Sequence, residues 1–88
     1  MDNKTKKALK AKAHHLNPVI ITGNQGLTPA VHQEIETALE AHELIKLRIN
    51  ASERDERDQM TTAILQQHGA ELVQKIGHTI TIYRKSDT

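Results

Sequence analysis

The chain has 88 residues, of which 26 % are charged, with a net charge of +1 and no cysteine. This length fits one domain over residues 1–88, and the lack of cysteine excludes disulfides, thiolate metal sites and cysteine nucleophiles. No apolar run approaches the roughly 20 residues that span a bilayer, and no apolar stretch follows the N-terminal lysines as in a signal peptide, so we expect a cytoplasmic protein without a membrane partner.

The first predicted element is a lysine-rich helix over about residues 5–15. Leu9 and Ala13 recur at helical spacing, and three lysines lie on a flank away from them: Lys6, Lys7 and Lys10. Residues 1–22 carry five lysines against one aspartate, whereas the remainder carries seven basic and ten acidic side chains. Such a basic end can meet a polyanion, although a solvated helix explains the same charges equally well.

A short strand, a turn and a second helix follow. Asn17-Pro18 ends the first helix, and residues 19–22 form a β-branched run typical of a buried strand. The turn Gly23-Asn24-Gln25-Gly26 leads to Thr28, which fits the N-cap of a helix that continues to about Ala41. This helix carries no lysine or arginine and is not expected to face phosphates, since its charged residues are Glu34, Glu36, Glu40 and Glu43.

Residues 44–50 alternate between apolar and polar side chains. Ile45, Leu47 and Ile49 would point one way, and the opposite face would hold Lys46, Arg48 and Asn50. This period of two predicts a strand with one buried face and one wet, basic face.

The last third of the chain predicts a helix and a hairpin. Ser52 is expected to cap a third helix that ends before Gly69. Two alternating runs, 72–76 and 79–84, then flank a two-residue turn that begins at Gly77. This spacing predicts a tight hairpin with Gly77 at positive φ.

The predicted order is therefore helix, strand, helix, strand, helix, strand, strand. Each strand–helix–strand crossover predicts parallel neighbouring strands, and the closing hairpin adds an antiparallel edge. We predict a single α/β domain in which helices pack over the apolar face of a four-stranded mixed sheet, with a short tail at 86–88.

Catalytic and cofactor motifs are missing from the sequence. Neither serine lies in a Gly-x-Ser-x-Gly context, the glycine fingerprints of nucleotide-binding folds are absent, and the six histidines include no His-x-x-x-His pair. We expect no enzyme activity, cofactor, metal or small-molecule substrate. Tyr83 is the only aromatic ring among Phe, Trp and Tyr, so a nucleic acid would be bound through phosphates, sugar hydroxyls and shape rather than on an aromatic platform.

The Gly23–Gly26 turn is the one motif with a mechanism for binding. A Gly-x-x-Gly turn before a helix can bring backbone N–H groups and the positive end of the helix to a phosphate. Without Cβ atoms it also admits a nucleic-acid backbone closely, as the GXXG loop of KH domains does. By itself the pattern is short, and a plain strand-to-helix turn explains it as well.

Four blocks that keep their order and spacing from about Thr5 to Lys85 place this turn in a larger pattern. They are Thr22–Thr28, the helical positions Val31, Ile35 and Ala38-Leu39, His42–Leu47, and Ile76–Arg84. Together they resemble the CRM domain family, with the closest likeness to the stand-alone bacterial YhbY-type proteins. The resemblance implies an RNA-binding α/β domain similar to the C-terminal domain of translation initiation factor three. It also implies association with precursors of the large ribosomal subunit.

The resemblance further implies that the RNA-binding loop comprises Gly23, Asn24, Gln25 and Gly26. Many loops of the family are more basic than Asn-Gln, so the positive charge is expected from neighbouring segments. The first candidates are Lys6, Lys7, Lys10 and Lys12, and the second are Lys46, Arg48, Arg84 and Lys85. We expect a monomer that binds large-subunit ribosomal RNA or its precursor particle. The alternative is a protein–protein interaction module, on the ribosome or another complex, that docks through the acidic second helix or the basic strand face.

Overall fold

The computed structural model describes residues 1–23 and 25–86, so Asn24 of the loop and residues 87–88 of the predicted tail lie outside the described residues. Within that part of the chain, the elements follow the predicted order: α1 (Asn3–Ala13), β1 (Ile20–Ile21), α2 (Pro29–His42), β2 (Leu44–Arg48), α3 (Arg54–His68), β3 (Glu71–Ile76) and β4 (Thr79–Tyr83). No helix among these residues is long and apolar enough to cross a membrane.

Side-chain caps set the starts of the first two helices. The backbone N–H of Thr5 donates to the Asp2 carboxylate over 2.7 Å, so α1 begins two residues earlier than predicted. The same hydrogen bond lowers the pKa of Asp2. Thr28 caps α2 as predicted, because its hydroxyl oxygen accepts from the N–H of Val31 at 3.2 Å.

The prediction that Ser52 caps α3 is wrong. The helix begins at Arg54, and no side chain accepts a capping hydrogen bond there. Instead, the Arg57 guanidinium reaches back to the carbonyls of Ala51 and Ser52, at 2.9 and 3.2 Å, and so ties the helix start to the preceding loop. The predicted stop at Gly69 is confirmed, since this residue adopts a φ of 62° in the left-handed region.

The sheet is mixed and four-stranded, with the order β1-β2-β4-β3. β1 and β2 are parallel, as the first crossover predicts, and β4 is antiparallel to both β2 and β3. The second crossover differs from the prediction, because β4 lies between β2 and β3 and they are not neighbours. The burial pattern of β4 explains its position in the interior of the sheet. Three consecutive residues are buried, as in a strand covered on both faces: Ile80, Thr81 and Ile82.

The main core lies between one face of the sheet and the helices α2 and α3. The sheet contributes alternate residues of β2 and β4, and the helices contribute apolar positions at helical spacing. The side chains that are at most 1 % exposed in this cluster include Ile35, Leu39, Ile45, Leu47, Ile49, Ile64 and Ile82. The predicted inward face of β2 is thereby confirmed.

The opposite face of the sheet, here called the outer face, is partly covered by α1. The helix contacts β2 and β3, and His14 at its end shares a groove with Lys46 and Thr81. The prediction that the helices pack on the apolar face therefore holds for α2 and α3 but not for α1. Leu9 and Ala13 give the reason, since both are buried outside the main cluster and supply α1 with an apolar stripe of its own.

This position of α1 changes two predictions about the strands. Only part of the outer face is wet, because Thr81 is 2 % exposed and Lys46 is half-buried, whereas Arg48 is exposed. The predicted burial of residues 19–22 is also wrong in part. Ile20 and Thr22 are buried, but Val19 is 55 % exposed, and Ile21 is 59 % exposed because it lies on the outer face of the edge strand β1.

Candidate nucleic-acid interface

Three connections meet at one end of the sheet, here called the loop end: residues 22–28, 49–53 and 77–78. The N–H of Asn50 donates to the buried Thr22 hydroxyl at 3.0 Å, which joins the first connection to the second. The N–H of Ile49 donates to the His78 carbonyl at 2.7 Å, which joins the second to the third. The glycine loop is therefore anchored to the rest of the fold through Thr22, the residue that precedes it.

The loop itself turns tightly and presents a glycine to solvent. The N–H of Gly26 donates to the Gly23 carbonyl at 3.1 Å, and that of Thr28 donates to the Gly26 carbonyl at 3.2 Å. Glycine is required at position 26, because a φ of +71° would strain any other L-residue there. Glycine is not required at position 23, since an added Cβ would meet no atom within 4 Å. The open space beside Gly23 is available to a ligand.

The first turn of α2 follows the loop directly. This helix has 14 residues, and its first turn contains no acidic side chain. The positive end of the helix dipole therefore acts on the loop without being offset by a carboxylate in that turn.

Arg48 is a predicted cation whose backbone contacts the residue before the loop. It is the last residue of β2, it pairs in register with Ile21, and its carbonyl accepts from the N–H of Thr22 at 3.0 Å. Its Nε donates to the Asn50 side-chain oxygen at 3.1 Å. Among residues 1–23 and 25–86 it forms no ion pair, so its charge is available to a ligand.

Two further cationic or titratable groups at the loop end were not predicted. Arg57 lies at the start of α3, and its guanidinium is 3.3 Å from Nε2 of His78 in the hairpin turn. The sequence held no signal for this pair, because Arg57 stands in an acidic stretch and its partner is 21 residues away.

The α1 lysines lie beside the outer face. Lys7 and Lys12 are exposed, Lys6 and Lys10 are half-buried, and none forms an ion pair within the described residues. The groove that holds His14 is also lined by Thr79 and Ile76. The last turn of α1, which carries Lys10 and Lys12, therefore approaches the same side of the sheet as Arg48.

Arg84 and Lys85 are not brought to the loop end. The N–H of Arg84 donates to the Glu43 carbonyl at the end of α2, opposite to the helix start that adjoins the loop. Its guanidinium donates to both carboxylate oxygens of Glu36 at 2.9 Å, and Lys85 lines the same recess as Glu40. Their predicted role in binding RNA stays a prediction.

Negative charge limits which side of the loop end can meet a polyanion. Glu53, Asp55 and Glu56 are exposed at the start of α3, on the main-core side of the sheet. Arg54 and Arg57 offset these acids only in part, whereas the cations of α1 and the outer face have no acidic neighbours in an ion pair within the described residues. The electropositive surface thus runs from α1 across Arg48 to the glycine loop.

A polar cluster links α2, α3 and the end of β4 away from this surface. Nδ1 of His68 lies 2.8 Å from the Glu36 carboxylate, and its Nε2 lies 2.9 Å from Nδ1 of His32. A carboxylate only accepts, so His68 donates from Nδ1, and the two facing nitrogens must share one proton. The hydrogen bonds from His68 and Arg84 lower the pKa of Glu36, and burial together with the His68 charge lowers the pKa of His32. Within residues 1–23 and 25–86, no group of three His, Cys, Asp or Glu side chains is arranged so that it could hold a metal ion.

We expect the free energy of unfolding to decrease as the pH falls below about 6.5. The pKa of His32 is lower in the folded than in the unfolded chain. The stability that neutral His32 contributes is therefore fully present above the pKa of the unfolded chain, and it is lost as the pH falls through the pKa of the folded chain. Urea titrations between pH 7 and pH 5 should show a shallower loss for His32→Asn, which keeps a donor but does not titrate. The same change at His42, on the same helix but outside the cluster, should retain the wild-type slope. An unchanged slope in His32→Asn would contradict this assignment.

Comparison with known proteins shows what this arrangement is similar to. Residues 1–84 match the model of the CRS1 / YhbY (CRM) domain. The chain is 44 % identical over 99 % of its length to an RNA-binding protein of Haemophilus influenzae, of which it covers 88 %. It is 35 % identical over 98 % of its length to the probable RNA-binding protein YqeI of Bacillus subtilis, of which it covers 90 %. The solution structure of a hypothetical RNA-binding protein from Staphylococcus aureus superposes with a TM-score of 0.85 at 31 % identity, covering all of this chain and 92 % of the other.

Proposed function

Because this chain belongs to the CRS1 / YhbY (CRM) domain family, we propose that it binds RNA through the Gly23–Gly26 loop and the cations beside it, and that its target is precursor RNA of the large ribosomal subunit. The relatives named as RNA-binding proteins support the binding of RNA, whereas the role of the loop and its cations is argued from their geometry below. The second part rests on the family resemblance of the sequence blocks.

The observation that carries the proposal is the open, uncharged loop among unpaired cations. An added Cβ at Gly23 meets nothing in the free protein, while Arg48 and the α1 lysines form no ion pair within the described residues. The loop would allow close approach of a phosphate backbone, and the cations would supply the attraction. Neither part needs a charged residue in the loop itself.

The alternative, a protein–protein module that docks through α2, has weaker support. Glu36 accepts hydrogen bonds from Arg84 and His68, and the Glu43 carboxylate accepts from the N–H of Ser86 at 2.7 Å. Two of the four glutamates of the predicted acidic surface are therefore used within the fold. Glu34 and Glu40 are left as exposed charges, which is ordinary for a solvated helix.

Replacing Gly23 by leucine tests the loop directly. We expect an unchanged melting temperature, because the site is open, and a loss of RNA affinity of at least about tenfold, because the side chain would occupy the space of the phosphate backbone. The measurement is a fluorescence-anisotropy titration with a structured fragment of large-subunit ribosomal RNA. Gly26 is unsuitable for this test, since its positive φ would mix strain with steric exclusion.

The matched control is Ala63→Leu, which adds the same kind of bulk at an exposed position of α3. This variant should bind RNA as the wild type does. Wild-type affinity in a folded Gly23→Leu protein would reduce the loop to a connection without a role in binding.

Sedimentation of cell extracts tests the proposed target. The wild-type protein should migrate with precursors of the large subunit, and ribonuclease should release it. Gly23→Leu should stay at the top of the gradient. Association that survives ribonuclease would favour the protein–protein alternative.

A further inference from the structure

Four side chains form a row across the outer face at the loop end. The register pairs Ile21 with Arg48, Arg48 with Thr79, and Thr79 with Ile76. Cα partners in adjacent strands present their side chains to the same face, and the adjacent row Ile20–Leu47–Ile80 points into the main core. The Ile21–Ile76 row therefore crosses all four strands on the side away from the core, a span of about 14 Å at the usual strand spacing.

The two ends of this row are apolar and open to solvent. Ile21 is 59 % exposed and Ile76 is 65 % exposed, and they are two of the four large hydrophobic side chains exposed within residues 1–23 and 25–86. α1 covers the neighbouring row with Lys46 and Thr81; at the edge of this row His14 shares a groove with Thr79 and Ile76, but both isoleucines stay exposed. Both isoleucines thus contribute little to the packing of the free domain.

The centre of the row is cationic and oriented. The Asn50 side-chain oxygen accepts from Arg48 Nε at 3.1 Å, which holds the plane of the guanidinium and leaves its two terminal nitrogens without a described partner. Arg48 is also continuous with the glycine loop, because its carbonyl accepts from the N–H of Thr22. A ligand that follows the loop therefore arrives next at this row.

We propose that the Ile21–Arg48–Thr79–Ile76 row is a binding site for unpaired nucleosides of the RNA, so that the domain prefers duplex RNA interrupted by a short single-stranded segment over continuous duplex. The inference rests on the proposed function and adds the RNA structure to it.

The chemistry of the row favours this ligand. Bases in a continuous A-form duplex are stacked on each other, and their faces are not available to a protein. Unpaired bases expose apolar faces that can pack on isoleucine and stack on a guanidinium plane, which needs no aromatic ring. The unpaired positive charge of Arg48 also suits a polyanion better than an apolar surface of a protein partner.

The test uses two RNA hairpins that differ only by a two-nucleotide bulge, and the double variant Ile21→Ser/Ile76→Ser. The wild type should bind the bulged hairpin more tightly than the continuous one. The double variant should lose about tenfold in affinity for the bulged hairpin, which is near the lower end of the cost of losing one stacked base elsewhere. Its affinity for the continuous hairpin and the salt dependence should be unchanged.

Val19→Ser is the matched control, since Val19 is 55 % exposed but lines a groove against α2 instead of the row. It should retain the preference for the bulge. The inference would be overturned if the wild type bound both hairpins equally, or if the double variant kept the full preference for the bulge. In either case, loss of binding in Gly23→Leu would still support the proposed function. If the wild type bound neither hairpin, the proposed function would fail as well. A double variant that lost only a ribonuclease-resistant partner would assign the row to a protein and equally overturn the inference.

Discussion

Replacing Lys6, Lys7, Lys10 and Lys12 together by glutamine is expected to weaken RNA binding on the order of a hundredfold at physiological salt. Each phosphate that a cation neutralises contributes roughly 0.7–0.9 to the slope of log K against log salt, so four contacts account for about three units of slope. The fold should persist, because none of these lysines forms an ion pair in the described chain and glutamine is a good helix former. Anisotropy titrations at four or five salt concentrations would measure both quantities.

Single substitutions give the matched comparison. Lys10→Gln should reduce the slope by about one phosphate, whereas Lys75→Gln should not, because Lys75 lies on the main-core side and pairs with Asp58 of α3. A quadruple variant with the wild-type slope would show that α1 is only a solvated helix. That result would shift the electrostatic role to Arg48 and the loop end.

Truncating Ile82 is expected to have the largest effect on stability. Its side chain is completely buried in the main core, so Ile82→Ala should cost about 3 kcal/mol through lost transfer energy and the cavity left behind. In a domain of this size that corresponds to a decrease in melting temperature of roughly 12–24 °C. Ile76→Ala, in the same hairpin but 65 % exposed, should cost about 1 kcal/mol or less.

Thermal unfolding followed by circular dichroism would measure both variants. Because the two substitutions are the same and both lie in strands of one hairpin, their difference isolates burial. Similar losses in the two variants would mean that the outer face is packed, and would argue against a free binding surface at Ile76.

The order of elements could be predicted because periodicity and turn chemistry agree along this chain. Three element boundaries are set by residues that few others can replace. The hydroxyl of Thr28 caps α2, and Gly69 and Gly77 adopt positive φ. The alternation in β2 likewise identified its buried face, because a period of two is specific to a strand.

The position of α1 could not be predicted in the same way. Its two buried residues, Leu9 and Ala13, make a stripe too narrow to indicate which face of the sheet it covers. The exposure of Ile21 was missed for a related reason. The sequence of a β-branched run does not show whether one face or both faces of the strand are covered by helices. Arg57 and His78 meet only through tertiary contact, which local patterns do not encode.

The order of strands in the sheet has a consequence for synthesis of the protein. β4 follows the other three strands of the sheet in chain order, yet it is the one that joins β3 to the β1–β2 pair. A nascent chain that ends before residue 79 contains all three helices and the parallel pair, but it leaves the edge of β2 open and the core without Ile80 and Ile82. Folding is therefore expected to be completed only after translation has passed Tyr83, and the outer-face row that spans all four strands would not exist on the growing chain.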